Sequence, residues 1–261
     1  APYGPRPIDE IRDFAFQIMD LMTGQGGSGG IAGPKSPDSE RQSLRSPRDN
    51  QVKALVIACN AMTAAAYEEA RVRYDVPIIG VIEPGVRAGI RSTHNRKVGV
   101  LGTKATIESG AYQRALQSLG EDIEIHTQIC HAFVEKVEAG DTFSEELISL
   151  AENYLAPLLE SEVDSVILGC THYPLLKGVL HWVTKGEVFL ISSAEEVAKD
   201  VYAELVERGL LRKTKEVGSR RFIVSGDAEQ FRKVGSRFLP GIDNVESFPL
   251  PGAKLGVREL R

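Results

Sequence analysis

The run Val52-Lys53-Ala54-Leu55-Val56-Ile57-Ala58-Cys59-Asn60 recurs as Val163-Asp164-Ser165-Val166-Ile167-Leu168-Gly169-Cys170-Thr171. In each copy an apolar run ends in a small residue, then a cysteine, then a small polar residue. A short run rich in β-branched residues reads as a central strand of a parallel sheet, buried on both faces. The cysteine then falls at the carboxyl end of the strand, where open α/β sheets hold their ligands. Two such strands in two similar halves would present two thiols to one cleft.

The chain has 261 residues, enough for one large domain or two of ordinary size. It is 42% hydrophobic and 26% charged, so it can bury a core; its net charge is -5 and no basic patch stands out, so nucleic acid is not the default partner. No apolar run is long enough to span a bilayer, and the first residues lack the apolar stretch of a signal peptide. The three cysteines form no C-x-x-C pair. That pattern disfavours a disulfide framework or a zinc site and suits a reducing cytoplasm. Taken singly, each cysteine also reads as a small buried hydrophobe, Cys130 most of all.

Apolar residues at helical spacing predict a helix over 8–24, closed by Gly24. Residues 27–50, rich in Gly, Ser and Pro, read as a disordered insertion. From Asn50 onward strands and helices alternate. Strands are expected at 52–58, 76–81, 97–101, 123–129, 163–168, 188–191 and 222–224. Helices are expected at 61–73, after Glu83-Pro84-Gly85, and at 107–119, 143–159, 194–208 and 228–238. Asp141-Thr142 and Ser192-Ser193 look like N-caps, and the tail after Pro240 reads as irregular. The alternation implies an α/β fold with parallel, helix-flanked sheets.

Two thiols flanking one carbon can remove a proton from one face and return one to the other, which inverting an amino-acid Cα requires. A thiol, with an ordinary pKa of about 8.5, can serve as base in one direction and acid in the other. Asn60 and Thr171, next to the cysteines, offer polar groups for a substrate's ammonium or carboxylates. His172 and Glu138 lie in the same half as Cys170 and can tune its proton affinity. Alone, His172 is more often a structural histidine, Thr171 a helix cap, and Gly102-Thr103 a plain turn. Their placement after repeated strands is what joins them into one site.

At Leu168-Gly169-Cys170-Thr171-His172-Tyr173-Pro174-Leu175-Leu176 the sequence resembles the glutamate racemases of the aspartate/glutamate racemase superfamily. Ala58-Cys59-Asn60, Gly80-Val81-Ile82-Glu83-Pro84-Gly85, Gly99-Val100-Leu101-Gly102-Thr103-Lys104-Ala105-Thr106, Ser109-Gly110-Ala111-Tyr112 and Pro2-Tyr3-Gly4-Pro5 support the likeness. It covers nearly the whole chain outside 27–50. The resemblance implies two pseudo-symmetric parallel-sheet domains, 1–82 with 193–261 and 83–192, with glutamate in the cleft between them. It implies a reaction that needs no pyridoxal phosphate, metal or nucleotide and supplies D-glutamate for peptidoglycan. By position, Cys59 and Cys170 become the acid/base pair, with His172 and Glu138 assisting Cys170. Pro2, Tyr3, Gly4, Asn60, Ala61, Thr103, Thr106, Thr171 and His172 become substrate contacts. A cytoplasmic homodimer without nucleic-acid or membrane partners is expected.

Three departures from the family pattern stand out. The family's opening strand-helix-strand unit, with its Asp-Ser-Gly turn, does not precede Ala1-Pro2-Tyr3. That implies lost partners for Cys59 and a poorly stable or weakly active chain on its own. Ala61 stands where a threonine is usual, with Thr63 two positions on, and the 27–50 insertion is atypical. Competing readings are an aspartate or hydantoin racemase, a non-catalytic binding protein acting for example on DNA gyrase, and a thiol-dependent decarboxylase or isomerase. Cysteines in both halves weaken a one-cysteine decarboxylase.

Overall fold

The computed structural model describes residues 3–24, 52–237 and 239–248. The expected insertion at 27–50 and the substrate contact assigned to Pro2 lie outside these residues. Helices and parallel strands alternate, as the sequence predicts. The chain divides into two compact units. The described part of the first is 3–23 with 52–211, and the described part of the second is Gly24 with 212–248 apart from 238.

The first unit holds two sheets. The smaller pairs β1 (Leu55–Ile57) in parallel with β2 (Ile78–Gly80). The larger contains β3 (Lys97–Gly102), β4 (Glu124–Ile129), β5 (Ser165–Gly169) and β6 (Phe189–Ile191), in the order β4-β3-β5-β6 and parallel throughout. All five residues of β5 are buried, as expected of a central parallel strand. The expectation fails for β1, which is short and leaves Val56 43% exposed, because among the described residues β1 pairs with β2 alone.

Helices cover the sheets: α1 (Ile8–Thr23), α2 (Asn60–Arg73), α3 (Ile82–Ser92), α4 (Lys104–Glu108), α5 (Ala111–Leu119), α6 (Phe133–Glu138), α7 (Glu145–Glu160), α8 (Lys177–Val183) and α9 (Ala194–Glu207). The helix expected over 107–119 is two helices. Gly110 adopts φ 67°, a left-handed conformation that favours glycine, and Ser109 takes up backbone groups on both sides of the break. The break turns Tyr112 into the core, where it is 1% exposed. The cap of α7 is Ser144 rather than Asp141-Thr142. Ser144 Oγ accepts from the Leu147 N–H, while the Asp141 carboxylate accepts from the Ser144 hydroxyl and amide and so orients the capping residue. The Ser193 side chain makes no capping bond at α9, and Ser192 Oγ accepts a long 3.4 Å bond from the Ala194 N–H.

Two apolar layers sandwich the larger sheet. One, built around Leu101, Phe133, Leu147, Leu155, Leu158, Tyr173 and Leu180, joins it to α6, α7 and α8. The other, around Val86, Val100, Tyr112, Leu116 and Ile167, joins it to α3 and α5.

In the second unit β7 (Phe222–Val224) is followed by α10 (Ala228–Gly235), capped by Asp227 accepting from the Gln230 N–H at 2.8 Å. The helix stops three residues short of the expected 238. The tail after Pro240 is not wholly irregular, since β8 (Val245–Ser247) pairs in parallel with β7. Such a short segment carries too little periodicity to be read as a strand before its partner is known.

Candidate active site

Cys170 immediately follows β5, and the preceding Gly169 has no room for a side chain. A Cβ there would lie 2.7 Å from the Leu101 carbonyl oxygen and 3.1 Å from the Tyr112 hydroxyl. Beyond Cys170 the chain turns sharply. The Tyr173 N–H donates to the Cys170 carbonyl, and Tyr173–Leu176 form a 3-10 turn with Pro174 in its first positions. His172 is thereby folded back towards the thiol. Its Nδ1 lies 3.7 Å from Cys170 Sγ and 3.4 Å from Thr171 Oγ1, and its Nε2 lies 2.7 Å from Glu138 Oε1.

Glu138 reaches this site because α6 is anchored below it. The Phe133 ring packs edge-on against Tyr154 at 5.0 Å and Tyr173 at 5.4 Å. The Tyr173 hydroxyl donates to the Cys130 carbonyl at 3.0 Å. One aromatic cluster thus fixes both the helix that carries Glu138 and the turn that carries His172. Sequence reading missed both elements, since α6 and the 3-10 turn are too short to show a period; the aromatic residues are the one signal that marks them.

The electrostatics follow from this geometry. Burial pulls the His172 imidazole down, but its bonds to Cys170 and Glu138 and their negative charge outweigh burial and raise it to about 9. Glu138 is held below the usual carboxylate range by its bond to His172, against the upward push of burial. At neutral pH this is an imidazolium–carboxylate pair with the Cys170 sulfur on its other nitrogen.

Cys59 sits at the N-cap position of α2, two residues past β1 and half-buried. Burial pushes its thiol up, the Met62 amide N–H pulls it back, the charge of Cys170 raises it again, and the Ala61 amide lowers it. Burial wins over the helix terminus, which elsewhere favours thiolate. Asn60 is buried, and its Oδ1 accepts a 2.8 Å hydrogen bond from the Tyr112 hydroxyl. Ala61 is buried too. Thr63 does not replace a missing hydroxyl at Ala61, because its Oγ1 donates to the Ile57 carbonyl at 2.8 Å and accepts from the Val81 N–H at 3.4 Å.

A third strand end carries the two threonines. Thr103 follows β3, and its Oγ1 lies 3.1 Å from that of Thr106, both side chains being buried. Gly4 rests on Thr103. Its carbonyl accepts from the Ala105 N–H at 3.2 Å, and a Cβ on Gly4 would come within 2.6 Å of Thr103 Cβ. Tyr3 stacks edge-on against Phe14 at 6.0 Å.

The structure therefore joins Cys170, Thr171, His172 and Glu138 by direct contact, and Gly4, Thr103 and Thr106 likewise. The Tyr112 bond links Asn60 to the larger sheet, and the charge of Cys170 raises the Cys59 thiol. Cys130 is the third free cysteine. It is wholly buried in the core, and burial pushes its thiol well above the ordinary value. A groove of about 860 Å³ opens among α2, α3, α5 and α9 but contains neither Cys59 nor Cys170. Its Arg87 is paired with Glu83 and Asp200. Among the described residues no three His, Cys, Asp or Glu side chains converge as metal ligands, and no helix is long and apolar enough to cross a membrane.

The chain matches the Asp/Glu/Hydantoin racemase family over residues 19–201. It is 43% identical over 246 residues to a glutamate racemase of Acidothermus cellulolyticus, covering 94% of this chain and 84% of that one. It is 39% identical to a glutamate racemase of Corynebacterium diphtheriae, covering 95% and 84%. Among solved structures it is similar to glutamate racemase isoform RacE1 from Bacillus anthracis, with TM-score 0.81 and 32% identity over 96% of this chain and 85% of that one. It is also similar to glutamate racemase from Francisella tularensis in complex with D-glutamate, with TM-score 0.79 and 30% identity over 96% and 84%.

Proposed function

This chain belongs to the Asp/Glu/hydantoin racemase family and is an amino-acid racemase; from that premise we propose that it interconverts L- and D-glutamate with two cysteines as the acid/base pair. The observation that carries the reading is the chain of contacts Cys170–His172–Glu138 at one strand end, with a second cysteine at another strand end close enough to feel the charge of the first.

In this reading one sulfur, as thiolate, takes the Cα proton of glutamate. The carbanion is protonated on its opposite face by the other sulfur, as thiol, and the stereocentre is inverted. The burial that pushes the Cys59 thiol up keeps a proton ready to donate. On the other side the His172 imidazolium holds a proton 3.7 Å from Cys170 Sγ, and Glu138 fixes the ring's orientation and charge. Asn60 and Thr171 bind the substrate's polar groups, with Thr103 and Thr106 and the segments at Tyr3, Gly4 and Ala61 completing the pocket. The reaction needs no cofactor in this scheme, because the thiols carry every proton transferred. The two separate sheets support a division into domains near residues 82 and 192. The relatives' names favour glutamate over aspartate or hydantoin. The family resemblance read from the sequence adds a cytoplasmic role in supplying D-glutamate for peptidoglycan, as a homodimer.

The test is exchange of the Cα proton with solvent deuterium, using L- and D-glutamate, for the unaltered chain, Cys59→Ser and Cys170→Ser. Each serine variant is expected to lose racemisation. Wild-type rates in both would sink the two-thiol scheme, and turnover of aspartate without glutamate would replace the substrate.

A further inference from the structure

One buried group touches both cysteine-bearing strand ends and has no part in the scheme above. The Tyr112 hydroxyl donates to Asn60 Oδ1 at 2.8 Å, next to Cys59. The same oxygen lies 3.1 Å from the point where a Cβ on Gly169 would stand, next to Cys170. The ring is 1% exposed and belongs to the apolar layer with Val86, Val100 and Ile167. Its position is therefore set by the larger sheet, while its hydrogen bond reaches the helix that follows β1.

We propose that Tyr112 is a positioning residue of the racemase site, holding the Asn60 amide so that its N–H donors face the substrate and fixing the two cysteine-bearing strand ends against each other. This rests on the two-thiol reading. The chemistry is directional. A primary amide has one acceptor end and one donor end. Tyr112 gives its proton to the acceptor end, and Asn60 Nδ2 makes no hydrogen bond among the described residues. An N–H pair on the residue next to Cys59 suits a carboxylate, which glutamate supplies twice. Burial, with the charge of Cys170 adding to it, pushes the Tyr112 phenol well above its ordinary value, so the hydroxyl keeps the proton that orients Asn60 throughout the neutral range. The broken helix at Gly110 and the absent side chain at Gly169 are the two local features that make room for this hydroxyl.

The experiment is a double-mutant cycle on Tyr112→Phe and Asn60→Ala, read as KM and kcat for each glutamate enantiomer with thermal melting alongside. Phenylalanine keeps the ring and its packing and removes only the donor. Tyr112→Phe is expected to fold and to raise KM roughly tenfold for both enantiomers, a loss of about 1.4 kcal/mol, with kcat little changed. In the Asn60→Ala background the same change is expected to raise KM less than twofold, because the group it orients is gone. Asn60→Asp keeps the acceptor for Tyr112 but replaces the donors with a negative charge facing the substrate carboxylate, and is expected to raise KM at least as much as Asn60→Ala. An unchanged KM in Tyr112→Phe, or an equal tenfold loss in both backgrounds, would overturn the positioning role while leaving the racemase reading intact. Absence of glutamate racemisation in the unaltered chain would remove both.

Discussion

Replacing Glu138 with Gln tests the electrostatics of the Cys170 end directly. The native contact is a 2.7 Å charge-assisted bond to His172 Nε2, and glutamine keeps its length and hydrogen-bonding atoms but not its charge. His172 stands at about 9 in the folded chain, against an ordinary value of 6.5. That gap corresponds to roughly 3 kcal/mol favouring the imidazolium, shared between Cys170 and Glu138. The Glu138 side chain is 45% exposed, so solvent screening reduces its share to about 1 kcal/mol. Losing that share lowers the His172 titration by roughly 0.7 pH unit. If the imidazolium form is the working one, the alkaline limb of kcat/KM near 9 moves down by the same amount, costing about twofold at pH 8.5 and almost nothing at pH 6. The assay is a kcat/KM profile from pH 6 to 10, with an NMR titration of the His172 ring in both proteins. A limb and a titration that stay at about 9 in Glu138→Gln would refute the argument, since the carboxylate would then not be holding the proton.

Other expectations come from the same geometry. The His172 proton is bound more tightly in the folded chain than in the unfolded one, so its contribution to stability is fully present below about 6.5 and disappears as pH rises through about 9. Urea melts of the unaltered chain should show that loss, and His172→Gln should flatten it. Gly169→Ala would drive a Cβ to within 2.7 Å of the Leu101 carbonyl oxygen, a backbone atom that cannot swing away. It should cost about 1–3 kcal/mol in a denaturant melt and depress racemisation by shifting Cys170. Thr63→Val keeps the shape but deletes the bonds to the Ile57 carbonyl and the Val81 amide. It should destabilise the β1–β2 sheet by about 1–3 kcal/mol, read as a lower urea midpoint, while KM changes little.

The local pattern of residues was enough to establish the parallel α/β class and to put Cys59 and Cys170 at strand ends. Apolar runs of period two or less, alternating with amphipathic stretches, record burial one segment at a time, and no long-range contact is needed to read them. The same local reasoning ran out where elements are short or broken. Nothing in the run 107–119 forces a helix break except Gly110, and α6 is a six-residue helix without a full apolar face. It also misjudged β1, because whether an apolar strand is covered on both faces depends on what pairs beside it.

Only the tertiary structure decided which side chains reach the thiols. Glu138 meets His172 across 34 positions of chain, and Tyr112 meets Asn60 across 52. The first contact depends on Phe133, Tyr154 and Tyr173 packing in one core, the second on a glycine that lets a hydroxyl lie against the strand end. Likewise Thr63, two positions after the alanine that stands where a threonine is usual, is consumed by tying β1 to the entry of α3. The sequence carries the groups and the strands that bear them. Their proton affinities and partners arise from burial and from contacts between distant segments, which exist only once the chain has packed.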